Sequence, residues 1–234
     1  MTPHVIRLNL LPALLLAAAG SASAATYTNV PSGANTGLPF AYFGNAGNPS
    51  GDSPAVGEVF SLAADEVLSS FTFYAIGNVT QSIVLNIAQW NPDTNAKNQA
   101  FNFVGSTLLT SGSAVETYNA AGGFTTLSFD NLSLSLDAGT KYVAYLTSND
   151  PAVTHVQLSR TQTAADLSGF GIGQANLSTV PDAGWQLPFA GSGFLSLQYT
   201  AVTSPVPEPA SMALLLAGVG VVVAAAKRRK AVQA

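Results

Sequence analysis

Three observations predict an all-β fold, an antiparallel two-sheet β-sandwich of the jelly-roll kind. Between about residues 57 and 202 the apolar positions recur at spacing two or in short runs. Gly, Pro, Asn, Asp and Ser cluster between those runs, where turns are needed. The 3.6-residue spacing of a long amphipathic helix is missing there, the one short candidate lying around 63–68.

From the N-terminus, residues 1–24 read as a signal peptide. Arg7 is followed by an apolar run over 8–19, broken only by Asn9 and Pro12. The run is shorter than the ~20 residues of a spanning helix, and it ends in Ala22-x-Ala24, the small-x-small pattern that signal peptidase accepts. The mature chain is expected to begin near Ala25, outside the cytoplasm.

Residues 25–204 form the expected ectodomain. The spacing predicts strands over 57–62, 67–76, 82–90, 101–109, 124–136, 141–148, 153–160 and 193–202. The clearest pattern is Leu132-Ser-Leu134-Ser-Leu136, which places three leucines on a buried face and Ser133 and Ser135 on a wet one. Asp137-Ala138-Gly139-Thr140 then supplies a turn, with Gly139 free to take positive φ, and 141–147 returns as the second strand of a hairpin. Segments 31–56, 91–100 and 161–192 are rich in Gly, Asn, Pro and Ser and are expected as surface loops.

Composition excludes several functions. The 234 residues include 20 charged ones, 9% of the chain, against about 25% in an average domain. Outside the two terminal segments, residues 25–206 hold three bases, Lys97, Lys141 and Arg160, against eleven acids, a net charge of −8. Three scattered cations cannot neutralise a run of phosphates, so nucleic acid is excluded as a partner. With no cysteine there are no disulfides, thiolate metal sites or cysteine nucleophiles.

The catalytic and metal templates fail in turn, so no catalytic residue, metal or cofactor is expected. His155 is the one histidine left after export; it lies in an expected strand, and no Gly-x-Ser-x-Gly elbow accompanies it. Asp65 and Glu66 are adjacent, and adjacent strand residues point to opposite faces, so they could not flank one glycosidic bond. Asn91-x-Asp93-x-Asn95 begins like a calcium loop but lacks the following glycine and the distal glutamate. Gly169-x-Gly171-x-Gly173 is not the dinucleotide pattern and reads as a flexible loop. Trp90 and Trp185 flank amide- and glycine-rich loops; either ring could stack on a sugar or cap the hydrophobic core.

The C-terminal segment 205–234 has three parts. Pro207-Glu208-Pro209 comes first, then the uncharged stretch 210–226, then Lys227, Arg228, Arg229 and Lys230. Seventeen residues make a helix of ~26 Å, close to the ~30 Å hydrocarbon core. The four cations hold that end in the cytoplasm by the positive-inside rule.

A Pro-Glu-Pro triplet, a short apolar helix and an Arg-rich end in this order resemble the tripartite PEP-CTERM sorting signal, with Val206-Pro207-Glu208-Pro209-Ala210-Ser211 similar to its opening and Arg228-Arg229 to its ending. The resemblance implies a Gram-negative bacterium that makes exopolysaccharide. It also implies recognition by exosortase, a membrane-embedded transpeptidase that cleaves near the triplet. The segment from Leu136 through Gly139 and Thr140 to Tyr142 also looks like a hairpin of extracellular, carbohydrate-binding-like sandwiches. The expected function is that of an exported, non-enzymatic protein of the biofilm or exopolysaccharide matrix. It would pass through an inner-membrane intermediate with its ectodomain in the periplasm, then reach the cell surface or the matrix. An extracellular polysaccharide hydrolase and a permanently anchored envelope protein are the alternatives.

Overall fold

The computed structural model describes residues 23–30, 38–44, 52–92, 102–161, 170–177, 185–186 and 196–206. The expected signal peptide through residue 22, the Pro-Glu-Pro triplet, the stretch 210–226 and the basic cluster 227–230 lie outside them. Among the described residues there is no helix, and every paired strand is antiparallel to its neighbour. Ala24–Pro205 forms a unit of its own.

The strands, in chain order, are β1 (Ala25–Thr28), β2 (Leu38–Phe43), β3 (Val56–Ser61), β4 (Glu66–Ile76), β5 (Val84–Pro92), β6 (Asn102–Ser113) and β7 (Val115–Asn119). They continue with β8 (Phe124–Phe129), β9 (Leu134–Leu136), β10 (Lys141–Thr147), β11 (Val156–Arg160), β12 (Gly171–Leu177), β13 (Trp185–Gln186) and β14 (Tyr199–Pro205). Two sheets result. In the eight-stranded sheet β4 is central: β14 runs along one side with β1 beyond it, and β8 and β9 lie along the other. Strand β7 then pairs with β8, and β11 joins β4 to β2. The six-stranded sheet runs β10-β3-β12-β13-β6-β5 and closes on itself through the β5–β10 pairing.

Alternation explains why these segments are strands. In β8, Thr125, Leu127 and Phe129 are buried while Phe124, Thr126 and Ser128 are half-buried on the outer face. In β4, Leu68 and Phe71 both face the core although they stand three residues apart, which a regular strand would forbid. A bulge resolves this: Val202 pairs with Ser70 and Thr203 with Leu68, so Ser69 is the extra residue. The freed Ser69 carbonyl accepts the Leu132 N–H at 3.0 Å.

The core lies between the sheets and is strongly aromatic. Phe170 stacks between Tyr27 and Phe60, with ring centroids 4.5 and 4.8 Å away, and Phe60 meets Phe71 and Tyr142. The buried rings of Phe60, Phe71 and Phe170 each contribute about 1.5–3 kcal/mol of transfer free energy.

Several expectations need correction. The 63–68 segment is not helical: Glu66 already begins β4, held between β9 and β14. The expected strand 124–136 is two strands, because Asn131 and Ser133 take φ of 58° and 51°, which breaks the extended chain. The leucine burial still follows the alternation, with Leu132 and Leu136 buried, Leu134 half-buried, and Ser133 and Ser135 exposed. Gly139 has φ 71°, as its turn requires. The turn is not a hairpin, however, since β9 pairs with β4 and β10 with β3 and β5, so the chain crosses from one sheet to the other. Strands β2, β12 and β13 occupy segments expected to be loops.

Candidate functional site

On its face away from the inter-sheet core, the six-stranded sheet buries a second cluster, in which Trp90 meets Val59, Ala88 and Val143, with Val104 and Tyr145 packed against them. The Trp90 ring is only 3% exposed. Its environment comes from β3, β10 and β5, consecutive neighbours in the closed sheet, so Trp90 caps a hydrophobic cluster and offers no open ring to a sugar. Gly57 makes room there, because a side chain at that position would overlap the Ala144 carbonyl and Tyr145. Beside the cluster, the Asn86 amide donates to Thr147 Oγ1 at 2.7 Å and accepts from Thr110 Oγ1 at 2.8 Å. Trp185 lies in β13, opposite Leu177 of β12 and Asn102 of β6.

Two glutamates sit inside the fold. Glu58 points into the core from β3 and is fully buried. Ser196 Oγ donates to its Oε1 at 2.7 Å and the Leu197 N–H to its Oε2 at 2.9 Å. The Asn29 amide completes this network by donating to Ser196 Oγ and the Leu197 carbonyl. Glu66 accepts from the Tyr27 hydroxyl at 2.9 Å and from the Thr203 hydroxyl. Buried acids are tolerated when hydrogen-bonded in this way. Burial, and after it Glu58, pushes the Tyr199 phenol above the ordinary tyrosine range, against a smaller opposing effect of a Gly171 backbone hydrogen bond. Tyr27 is raised too, by burial first and then by Glu66.

These contacts revise the glycine reading: Gly171 opens β12, with Tyr199 Oη and Glu58 Oε1 occupying the space a side chain would need. They also separate Asp65 from Glu66. Asp65 is exposed and its Oδ1 accepts the Ala138 N–H at 2.8 Å, while Glu66 turns inward.

His155 is not a strand residue; it precedes β11 with φ 52°. Its side chain is 60% exposed, and Nδ1 lies 2.6 Å from Asp52 Oδ1. Asp52 Oδ2 also accepts the His155 backbone N–H at 2.9 Å. The aspartate is buried, so it orients the ring and leaves Nε2 as the outer nitrogen. No group of three His, Asp or Glu side chains able to hold a metal occurs among the described residues.

A further surface was not singled out from the sequence. The outer face of the eight-stranded sheet carries one continuous register row, Thr28 of β1, Thr200 of β14, Thr72 of β4 and Ser128 of β8. Thr28 and Thr200 share a hydrogen bond at 2.9 Å, and Thr72 donates to Ser128 at 3.2 Å. In the next row Tyr74 stands opposite Thr126, and Thr126 opposite Thr117. Tyr74 Oη bonds Thr200 Oγ1 at 3.0 Å, and its ring leans on Phe124 with centroids 5.9 Å apart. The alternation of hydroxyl and apolar residues in Ser70-Phe71-Thr72-Phe73 and Thr126-Leu127-Ser128-Phe129 is the signal that could have found it.

Of the residues assigned to sorting, Ala24 is described, exposed and directly before β1. Ala22, Pro207, Glu208, Pro209 and the basic cluster lie outside the described residues. Strand β14 carries the chain to Pro205, opposite Glu66. No curated protein matches the chain. Residues 205–230 match the PEP-CTERM protein-sorting motif. The chain therefore carries a PEP-CTERM sorting motif in its C-terminal segment, which marks it as exported and addressed to exosortase for processing at the membrane.

Proposed function

We propose that the folded part is a non-enzymatic component of an extracellular polysaccharide matrix. The observation that carries this reading is the sorting motif at residues 205–230. The motif addresses an all-β domain to the outside, and the buried acids Asp52, Glu58 and Glu66 are engaged in structural hydrogen bonds. Signal peptidase releases the N-terminus, exosortase acts at the C-terminal segment from the inner membrane, and the domain reaches the surface or the matrix. Its role there is to associate with polysaccharide.

The test is the purified mature protein against a polysaccharide panel, scored for retention and for product release. Retention without turnover is the expected outcome. Turnover that survives purification and disappears in one Asp or Glu variant would make the domain a hydrolase instead.

A further inference from the structure

We propose that the outer face of the eight-stranded sheet is a docking surface for a neutral polysaccharide chain. This rests on the matrix role above and assigns that role a face and a ligand class. Three observations converge on it. The row Thr28, Thr200, Thr72 and Ser128 crosses four strands in strict register, and strands lie about 4.8 Å apart. Hydroxyls therefore recur at a spacing comparable to one pyranose ring. Each hydroxyl both donates and accepts, and those of the row are oriented in two pairs, Thr28 with Thr200 and Thr72 with Ser128, Tyr74 adding to the first. A sugar hydroxyl can join either pair without stripping water from a charge.

Tyr74 and Phe124 supply the second element. Both are half-buried on this face, and their tilted pair forms a rigid aromatic ridge beside the hydroxyl row. The apolar C–H face of a sugar ring stacks on such a surface.

Charge selects among polysaccharides. The register rows Thr28–Thr200–Thr72–Ser128, Tyr74–Thr126–Thr117 and Ile76–Phe124–Asn119 hold no carboxylate, histidine, lysine or arginine. Recognition rests on the hydroxyl pairs Thr28–Thr200 and Thr72–Ser128 and on the Tyr74–Phe124 ring pair. The net charge of −8 over residues 25–206 repels polyanions at long range. A neutral glycan meets no such penalty and needs no cation to pair with.

The experiment is affinity electrophoresis of the mature, exported protein through gels containing hydroxyethyl cellulose, dextran or laminarin, with alginate as the acidic comparison. Retardation by at least one neutral glucan and not by alginate is expected. The Thr72→Asp/Thr200→Asp double variant and Tyr74→Ala should each weaken retention at least tenfold, while Thr107→Asp on the other sheet should not. Circular dichroism verifies that each variant is folded; Thr126→Lys, a side chain common on wet strands, serves if the double variant is not. Retention unaffected by every face variant would overturn the assignment of this face and leave the matrix role standing. Retention by alginate alone would overturn the neutral class only. No retention by any polymer would overturn both readings. A dimer that dissociates in the face variants, with glycan retention unchanged, would make a second copy of the chain the occupant and overturn the proposal.

Discussion

The Tyr142 hydroxyl accepts a hydrogen bond from the Asp137 backbone N–H at 2.9 Å, five residues back along the chain. This contact closes the corner through which the polypeptide leaves β9 in one sheet and enters β10 in the other. The Gly139 N–H donates to the Leu62 carbonyl, and the Ala138 N–H to Asp65, so the corner is tied to the β3–β4 connection as well. The geometry is that of a tyrosine corner, a device of β-sandwiches.

Tyr142→Phe keeps the buried ring and deletes only the acceptor. The Asp137 N–H then loses its partner, and the loss should cost about 1–3 kcal/mol. Urea unfolding would show a lower midpoint at an unchanged m-value.

The leucine row separates a core position from a peripheral one. Leu136 is 1% exposed, and Leu136→Ala should cost about 2–5 kcal/mol, as buried leucine truncations do. Leu134 is only half-buried against the core, so Leu134→Ala should cost clearly less, by the share of its surface still wet. Equal losses in thermal unfolding would contradict this ordering.

What was legible follows from how much of each strand faces the core. Strand β4 alternates against a buried face and β10 is a near-continuous apolar run, so the pattern located both within a residue, while for β8 it found the start and overran the end. Strand β7 could not be located this way: in Val-Glu-Thr-Tyr-Asn only Glu116 is half-buried and the other four are exposed, and an edge strand with two wet faces has no apolar period. Strand β12 begins Gly171-Ile172-Gly173, which locally reads as loop; its first glycine answers to Tyr199 and Glu58, residues distant in the chain. The crossing from β9 to β10 was hidden because a tight turn looks alike whether its flanks pair or part. At the candidate surfaces, the sorting triplet was legible as a contiguous motif. The hydroxyl row was not, since it exists only once four strands are in register.

Tyr199 predicts alkaline behaviour. Its phenol is raised in the folded state by burial and by Glu58. The contribution is fully present below the unfolded tyrosine pKa of about 10 and is lost as pH rises from there toward the folded value. Above pH ~10 stability should fall by about 1.4 kcal/mol per pH unit for this group. Tyr199→Phe should flatten that fall, leaving the smaller part from Tyr27, as measured by denaturant midpoints between pH 8 and 11.

The Asp52–His155 contact is asymmetric. Asp52 is buried and also binds the His155 N–H, so Asp52→Ala strands a backbone donor and should cost about 1–3 kcal/mol. The His155 ring is mostly in water, and an exposed pair contributes about 0–1 kcal/mol, so His155→Ala should cost little. Thermal melts of both variants at neutral pH decide the order.

The final prediction concerns the C-terminal address. Retention in a membrane requires only the uncharged stretch 210–226 and the basic stop at 227–230. Pro207-Glu208-Pro209 adds nothing to burial in lipid, because an acid between two prolines is both polar and unsuited to a helix. Its place in the sequence, between β14 and the uncharged stretch, suits presentation to an enzyme at the outer membrane–water boundary. Glu208→Ala should therefore leave export and insertion intact while full-length protein accumulates in the inner membrane. Deleting Lys227, Arg228, Arg229 and Lys230 should disturb orientation instead, letting the stretch slip through after the domain. The mass of the mature protein in a host carrying exosortase separates the two roles. An intact mass ending at Ala234 for the wild type in that host would show a permanent anchor, and Glu208 would then have no processing role to lose.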